Sequence, residues 1–221
     1  MMNKIAIVGS SGHARVIIDI VEREGRYQIA GLLDDYRRVG EQTLGYEILG
    51  QVEALPRLIA SHDLRGAIVA IGDNMFRSKV VDRIRKLCPS LPFVSAIHPS
   101  ASVAKSASVA EGSAIMAGAV INPCCSIARF CILNTNASLD HDSVMEPFSS
   151  LAPGATTGGN CRIGSYAAVG IGATLINGIH IGEHTVIGAG STVLEHVGPL
   201  YIAYGTPAAC IRKRTPGEKY L

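Results

Sequence analysis

Tryptophan is absent from this 221-residue sequence, and aromatic residues make up only 5% of it. Charge is sparse as well: 20 Lys and Arg face 18 Asp and Glu, a formal net charge of +2. So balanced a chain, with few rings to stack on bases, is expected to have no nucleic-acid partner. No apolar run approaches the ~18 residues that read as a membrane span. The start MMNKIAIVGSSG also lacks the charged, apolar and cleavage sections of a secretory signal. The expectation is therefore no membrane partner and a cytoplasmic address. Six cysteines, two of them adjacent (Cys124 and Cys125), do not form a small-domain disulfide framework and read as reduced thiols.

What is abundant is apolar residues, 48% of the chain, in two different rhythms. Residues 1–96 alternate short strands with amphipathic helices: KIAIV (4–8), a helix striped by Val16, Ile17, Ile20 and Val21, QIAGLLDD (28–35), GAIVAIGD (66–73), a helix over 74–87, and PFVSAI (92–97). This order implies a small, mostly parallel α/β domain with anionic ligands held at its strand-to-helix turns.

From Ile97 the period becomes six. Ile97, Val103, Val109, Ile115, Ile121, Ile127, Leu133, Leu139, Met145 and Leu151 follow one another, then Thr157, then Ile163 through to Val193. Thr157 is the sole non-apolar residue in that column. Two positions before each stands a mostly small residue, among them Cys125, Cys131 and Cys161. Neither a helix nor an ordinary strand repeats every six residues; a triangular parallel β-solenoid does, with the aliphatic residue on its axis and the small one inside its corner. The solenoid is expected over 97–198, followed by a tail over 199–221. The glycines after the aliphatic positions (Gly158, Gly164, Gly170, Gly182 and Gly188) are expected to form tight turns and leave backbone accessible.

Three places carry chemistry. Gly9-Ser10-Ser11-Gly12 joins a strand to a helix and reads either as an anion-binding turn or as a tight structural one. His13 follows it, as a phosphate donor or a local cap. Asp34 and Asp35 end the second strand, as ribose or base acceptors or as solvated turn acids. Gly72, Asp73, Asn74 and Arg77 repeat the strand-to-helix geometry, and Arg77 reads as a diphosphate fork or an exposed helix charge. In the solenoid, His141 stands two positions beyond the axial Leu139, between Asp140 and Asp142, where the core has no use for an imidazole, and it reads as a catalytic base or as a surface histidine.

The hexapeptide register, together with GSSGHARVIID, LLDD, AIGDNMFRSKV, NTNASLDHD, IGAGSTV and YGTPA, resembles the bacterial nucleotide-sugar acetyltransferases of the left-handed β-helix superfamily. That family includes amino-sugar N-acetyltransferases and related sialic acid O-acetyltransferases. The resemblance covers nearly the whole chain. It implies a Rossmann-like N-terminal domain that binds a nucleotide-linked amino sugar, a left-handed parallel β-helix that binds acetyl-CoA, and a homotrimer with sites between subunits. By the family pattern His141 is the general base and Asp142 its orienting acid, with Asp140 the competing orienter. Asn134 contacts the sugar or caps its corner. Ser150 stands where many members have a second histidine, nine residues beyond the base, and is expected to lie in the acetyl-CoA site. Gly154, Gly172 and Gly190 are expected to line a groove for pantetheine or to serve only as turn residues, and Arg212, in the basic run 212–214, to meet the CoA phosphates or stay solvated.

No metal is expected. Two other classes stay open: a zinc-dependent, carbonic anhydrase-like trimer using His180, His184 and His196, and a non-enzymatic sugar-binding module. Within acetyltransferases, a 4-amino sugar N-acetyltransferase is favoured over O-acetylation of sialic acid or a related sugar.

Overall fold

A computed structural model describes residues 2–220. The chain divides into two compact units, one running through Gly72 and resuming over Phe76–Pro99, the other holding Asp73–Met75 and everything from Ser100 onward. Among the described residues no helix is long and apolar enough to cross a membrane.

The first unit is built on β1 (Asn3–Val8), α1 (Gly12–Glu24), β2 (Tyr27–Leu33), β3 (Gln42–Thr43), β4 (Tyr46–Gly50), α2 (Leu55–His62) and β5 (Leu64–Val69), with most of α3 (Asn74–Leu87). Its sheet has the order β3-β4-β2-β1-β5, all neighbours parallel except β3 with β4. Ile5, Ile7, Leu32, Leu33 and Ile68 of this sheet are at most 1% exposed, as are Ile17 and Ile20 of α1. Expectation and structure differ at three points. The β3–β4 hairpin is an addition, closed by Leu44 and Gly45 at φ of 49° and 83°, the left-handed pair that a tight hairpin needs. The short helix α2 is also additional. The expected last strand reduces to an isolated bridge from Ala67 to Phe93 and the two residues Ala96–Ile97.

The second unit is a left-handed β-helix. Each flat side contributes a short strand, and each strand pairs in parallel with the one three hexapeptides further on: Val120 with Ser138, Ser126 with Val144, Ile132 with Ser150. Three hexapeptides therefore make one coil. Ile115, Leu133, Leu139, Met145, Leu151 and Ile163 stack along the axis with no exposed area. The small positions are buried too. Burial pushes the Cys125 and Cys161 thiols up, as expected for inert core sulfurs. Ser113 and Ser143 in the same column accept the amides of Cys131 and Cys161, one coil on, at 3.1 and 3.0 Å.

Every corner from Gly112 to Gly190 turns through one left-handed residue, three positions after the axial one. Cys124, Phe130, Asn136, Asp142, Phe148, Asn160, Tyr166 and His184 hold φ between 56° and 62° there, with Gly154, Gly172, Gly178 and Gly190 in register. This gives Cys124, otherwise without a role in the repeat, its place as a corner residue. The glycines expected to form the turns do something else. A Cβ on Gly164 would lie 2.7 Å from the Glu183 amide, and one on Gly170 2.6 Å from the Ile187 carbonyl. Those positions are glycine because the next coil packs onto their Cα, so their backbone is covered rather than accessible.

One corner column is aromatic. Phe130, Phe148, Tyr166 and His184 stack with centroids 5.0, 5.3 and 4.6 Å apart and planes within 9°. The segment expected as a tail is ordered: Tyr201–Gly205 and Ala208–Lys213 form an antiparallel hairpin, and Ile202 pairs with Val186 of the solenoid. Arg214 behind it is buried, with Nη1 donating to the His184 carbonyl at 2.7 Å and the guanidinium over the Tyr220 ring. Phe130, 0% exposed, anchors the aromatic column. Phe130→Ala should lower unfolding free energy by about 3–5 kcal/mol, read from urea denaturation.

Candidate active site

His141 and Asp142 occupy the corner where the chain leaves the axial Leu139. Because Asp142 takes the left-handed conformation (φ 58°), consecutive side chains turn back toward each other. His141 Nδ1 lies 2.7 Å from Asp142 Oδ2, and the two side chains are 48% and 53% exposed. The Asp142 hydrogen bond is the largest cause that raises the imidazole pKa above its usual value, outweighing desolvation, with the charges of Asp140 and Asp142 adding to it.

Asp140 faces elsewhere. Its Oδ1 accepts the Asn122 side-chain amide at 2.6 Å and the His141 backbone amide at 2.8 Å. The His141 amide, then Asn122, hold the Asp140 carboxyl below its ordinary range. Of the two flanking acids, Asp142 is the one that reaches the ring. One coil on, the ring covers Gly159: a Cβ there would lie 2.5 Å from both Cε1 and Nε2. Sequence reasoning passed over Gly159 and Asn122, whose signal is their offset of one whole coil from His141 and Asp140.

In the first unit, a cleft of about 250 Å³ opens at the ends of β1, β2 and β5 and is lined by Gly9, Ser10, Ser11, Asp34, Asp35 and Gly72, with Tyr36 and Phe76. Gly9 is at φ +110°, and a Cβ there would lie 2.8 Å from the Ala70 carbonyl oxygen, so only glycine fits. Ser11 caps α1 without a side-chain hydrogen bond, so the amides of its first turn, from Gly12 on, lack a side-chain acceptor at the cap. Asp34 shapes the rim: Oδ2 accepts the Ser10 hydroxyl at 2.5 Å and Oδ1 the Tyr36 amide at 2.9 Å. Asp35 pairs with Arg83 and accepts the Val52 amide.

Other expected contacts are placed differently. Arg77, expected to reach a diphosphate, is 1% exposed, and its Nη1 donates to the Ile71 and Gly72 carbonyls at 2.9 Å each. Its guanidinium charge is satisfied by backbone at the turn before α3. His13 is half-buried, and its Nε2 has no hydrogen-bond partner among the described residues. Burial, then the charge of Arg77, lower its pKa to about 4, so the ring is neutral at physiological pH. Asp73 precedes α3, and Asn74, also 1% exposed, donates to Ser150 Oγ at 3.1 Å and to the carbonyls of Tyr166 and Ala167. Ser150 Oγ is thus an acceptor for Asn74. Asn134 Oδ1 accepts the Thr135 amide at 2.9 Å, a local cap of its own corner.

Gly154, Gly172 and Gly190 stand one above another along a single corner, each left-handed, with open space where a side chain would be. That column is a smooth strip of backbone along which an extended chain can lie. Arg212 is tied to Glu218 at 2.6 Å and to the Lys213 carbonyl at 3.1 Å. Among the described residues no group of three or more His, Cys, Asp and Glu could hold a metal ion. His180 and His196 stack at 4.9 Å, and the His180 amide donates to His196 Nδ1, while His184 ends the aromatic column.

Known proteins match both units. Residues 4–84 fit the PglD N-terminal domain family. A UDP-N-acetylbacillosamine N-acetyltransferase of Bacillus subtilis is 34% identical over 105 residues, which span 48% of this chain and 47% of that protein. The GDP-perosamine N-acetyltransferase of Caulobacter crescentus, solved as a histidine-to-alanine variant with CoA and GDP-perosamine, is 34% identical. Its fold matches with a TM-score of 0.90 over 96% of this chain and 99% of that one. The acetyltransferase domain of PglB from Neisseria gonorrhoeae, solved with acetyl coenzyme A, is 30% identical with a TM-score of 0.88 over 96% and 100% of the two chains. This chain belongs to the nucleotide-sugar acetyltransferases of the hexapeptide-repeat, left-handed β-helix superfamily.

Proposed function

We propose that this protein moves the acetyl group of acetyl-CoA to the amine of a nucleotide-linked amino sugar, a 4-amino sugar, in one direct step from a ternary complex. The observation that carries the reading is the His141 Nδ1–Asp142 Oδ2 contact of 2.7 Å on an accessible corner. An ionised carboxylate at that distance accepts the Nδ1 proton, which leaves a lone pair on Nε2. Nε2 takes a proton from the attacking amine as its nitrogen bonds the thioester carbonyl carbon. The C–S bond then breaks, the imidazolium returns its proton to the sulfur, and CoA leaves as the thiol. Asp142 stabilises the imidazolium between those steps. A backbone amide of a nearby turn supplies the oxyanion donor.

The cleft lined by Ser10, Ser11 and Asp34 suits the nucleotide, and the α1 N-terminus suits its phosphates. The corner of Gly154, Gly172 and Gly190 suits pantetheine. The Caulobacter relative was solved with CoA and GDP-perosamine together, which supports a ternary complex over a covalent acyl-enzyme. Three copies form the working homotrimer, in the cytoplasm, where acetyl-CoA and nucleotide sugars are made.

Release of CoA from acetyl-CoA, assayed against amino sugars on GDP, UDP and dTDP, tests the reading, with mass spectrometry to show an N-acetyl product. Turnover of sialic acid alone would overturn it. His141→Ala should cut kcat about 100- to 10,000-fold, the usual worth of a general base, without altering the assembly mass of three times 23.2 kDa in light scattering. Because the base works as the neutral ring, its raised pKa puts the acid limb of kcat/KM at higher pH than an ordinary imidazole would. Asp142→Asn replaces the charged acceptor that raises it with a neutral amide, so the limb should move to lower pH while kcat falls. Gly159→Ala should lower kcat by about 100-fold, since a methyl group there must displace the ring.

A further inference from the structure

The solenoid's hydrogen-bond ladder follows a fixed rule. Between Val103 and Leu175 the residue after an axial position donates its amide to the axial carbonyl one coil on: Asn122 to Leu139 at 3.0 Å, Asn134 to Leu151 at 3.0 Å, Gly158 to Leu175 at 2.8 Å. Asp140 departs from it. Its amide donates instead to the side-chain hydroxyl of Thr157, at 3.0 Å, and strand pairing there is reduced to Ser138 with Thr156. Thr157 is the one polar residue in the axial column and is only 4% exposed. An apolar residue would serve the core at least as well, and all its counterparts are apolar.

The displaced residue is the one whose carboxylate holds the His141 amide, while Asn122 donates to the same oxygen from the coil before. We infer that Thr157 is a positioning residue of the acetyl transfer: its hydroxyl takes the Asp140 amide out of the ladder, and Asp140, steadied by Asn122, then fixes the backbone from which the His141 ring projects over Gly159. Thr157 lies buried on the solenoid axis. It acts through Asp140, by geometry, on where the imidazole stands. Stability given up at one rung of the ladder is exchanged for the position of the base.

The inference rests on the functional reading above, and its test separates the two. The full-length protein is assayed with acetyl-CoA and GDP-perosamine or a UDP-linked 4-amino sugar. Thr157→Val keeps the side-chain shape and completes the apolar column. It should lower kcat by about tenfold or more, since small misplacements of a catalytic group cost that much. Both KM values should stay within about twofold, the mark of a loss confined to the transition state. The urea midpoint should be equal to or higher than that of the unaltered chain. Thr157→Ser, which keeps the hydroxyl, should retain kcat within about threefold on the same argument. Asn122→Ala and the isosteric Asn122→Asp should each lower kcat with KM held.

An unchanged kcat in Thr157→Val would overturn the inference, as would equal losses in the Val and Ser variants, or a kcat loss matched by a fall in the urea midpoint. If the unaltered chain transfers no acetyl group to any nucleotide-linked amino sugar, the functional reading fails and takes this inference with it. If the unaltered chain turns over and His141→Ala does not, while the Thr157 variants behave like the unaltered chain, only the inference fails.

Discussion

Vertical pairing between coils is the constraint on which this molecule depends. The strands are so short that no side of the triangle is stable alone, so each amide must find its carbonyl in the neighbouring coil. That requirement fixes the coil at three hexapeptides and the corner at one left-handed residue. It also keeps side chains off the glycines onto which the next coil packs. It places functional groups too. His141 and Gly159 are in contact because they occupy the same position in successive coils, and Asn122, Asp140 and Gly158 share a column for the same reason.

The solenoid was almost wholly legible in the sequence, because a period of six has no other physical cause. The small column and the axial column marked both corners and core, and they explained the buried cysteines. What a period cannot report is dihedral angle. At several corners the left-handed position is filled by Cys124, Phe130, Phe148 and Tyr166, residues that do not advertise positive φ, so the turn role fell to the wrong glycines. The hairpin over 201–213 escaped because its pairing partner, Val186, belongs to a different rhythm. In the first unit the α/β alternation was plain, whereas the β3–β4 hairpin is only two residues wide on one side.

The site was legible in part. His141 stood out as an imidazole outside the core register, but its two flanking acids look alike in sequence. Only the corner geometry separates them, sending Asp142 to the ring and Asp140 to a backbone amide. Arg77 shows the opposite limit. A guanidinium beside a ligand-binding turn reads as an anion partner, yet two carbonyls of that turn claim it first. The break at Thr157 was visible as an anomaly in the axial column, and its meaning needed the partner of its hydroxyl.

A coil of fixed length has a consequence for how such a chain can change in size. Removing a single position between His141 and Gly159 would shift every later side chain out of register, so that axial groups would point into solvent and the imidazole would meet a different neighbour. An added block of three hexapeptides leaves every column intact and inserts one more rung. Length in this unit is therefore quantised. The chain can grow or shrink by whole coils with its faces preserved, whereas smaller changes must be confined to corners that bulge outward. A corner built across two rungs, as that of His141 and Gly159 is, further restricts where a whole coil can be inserted: anywhere except between the two rungs that share it.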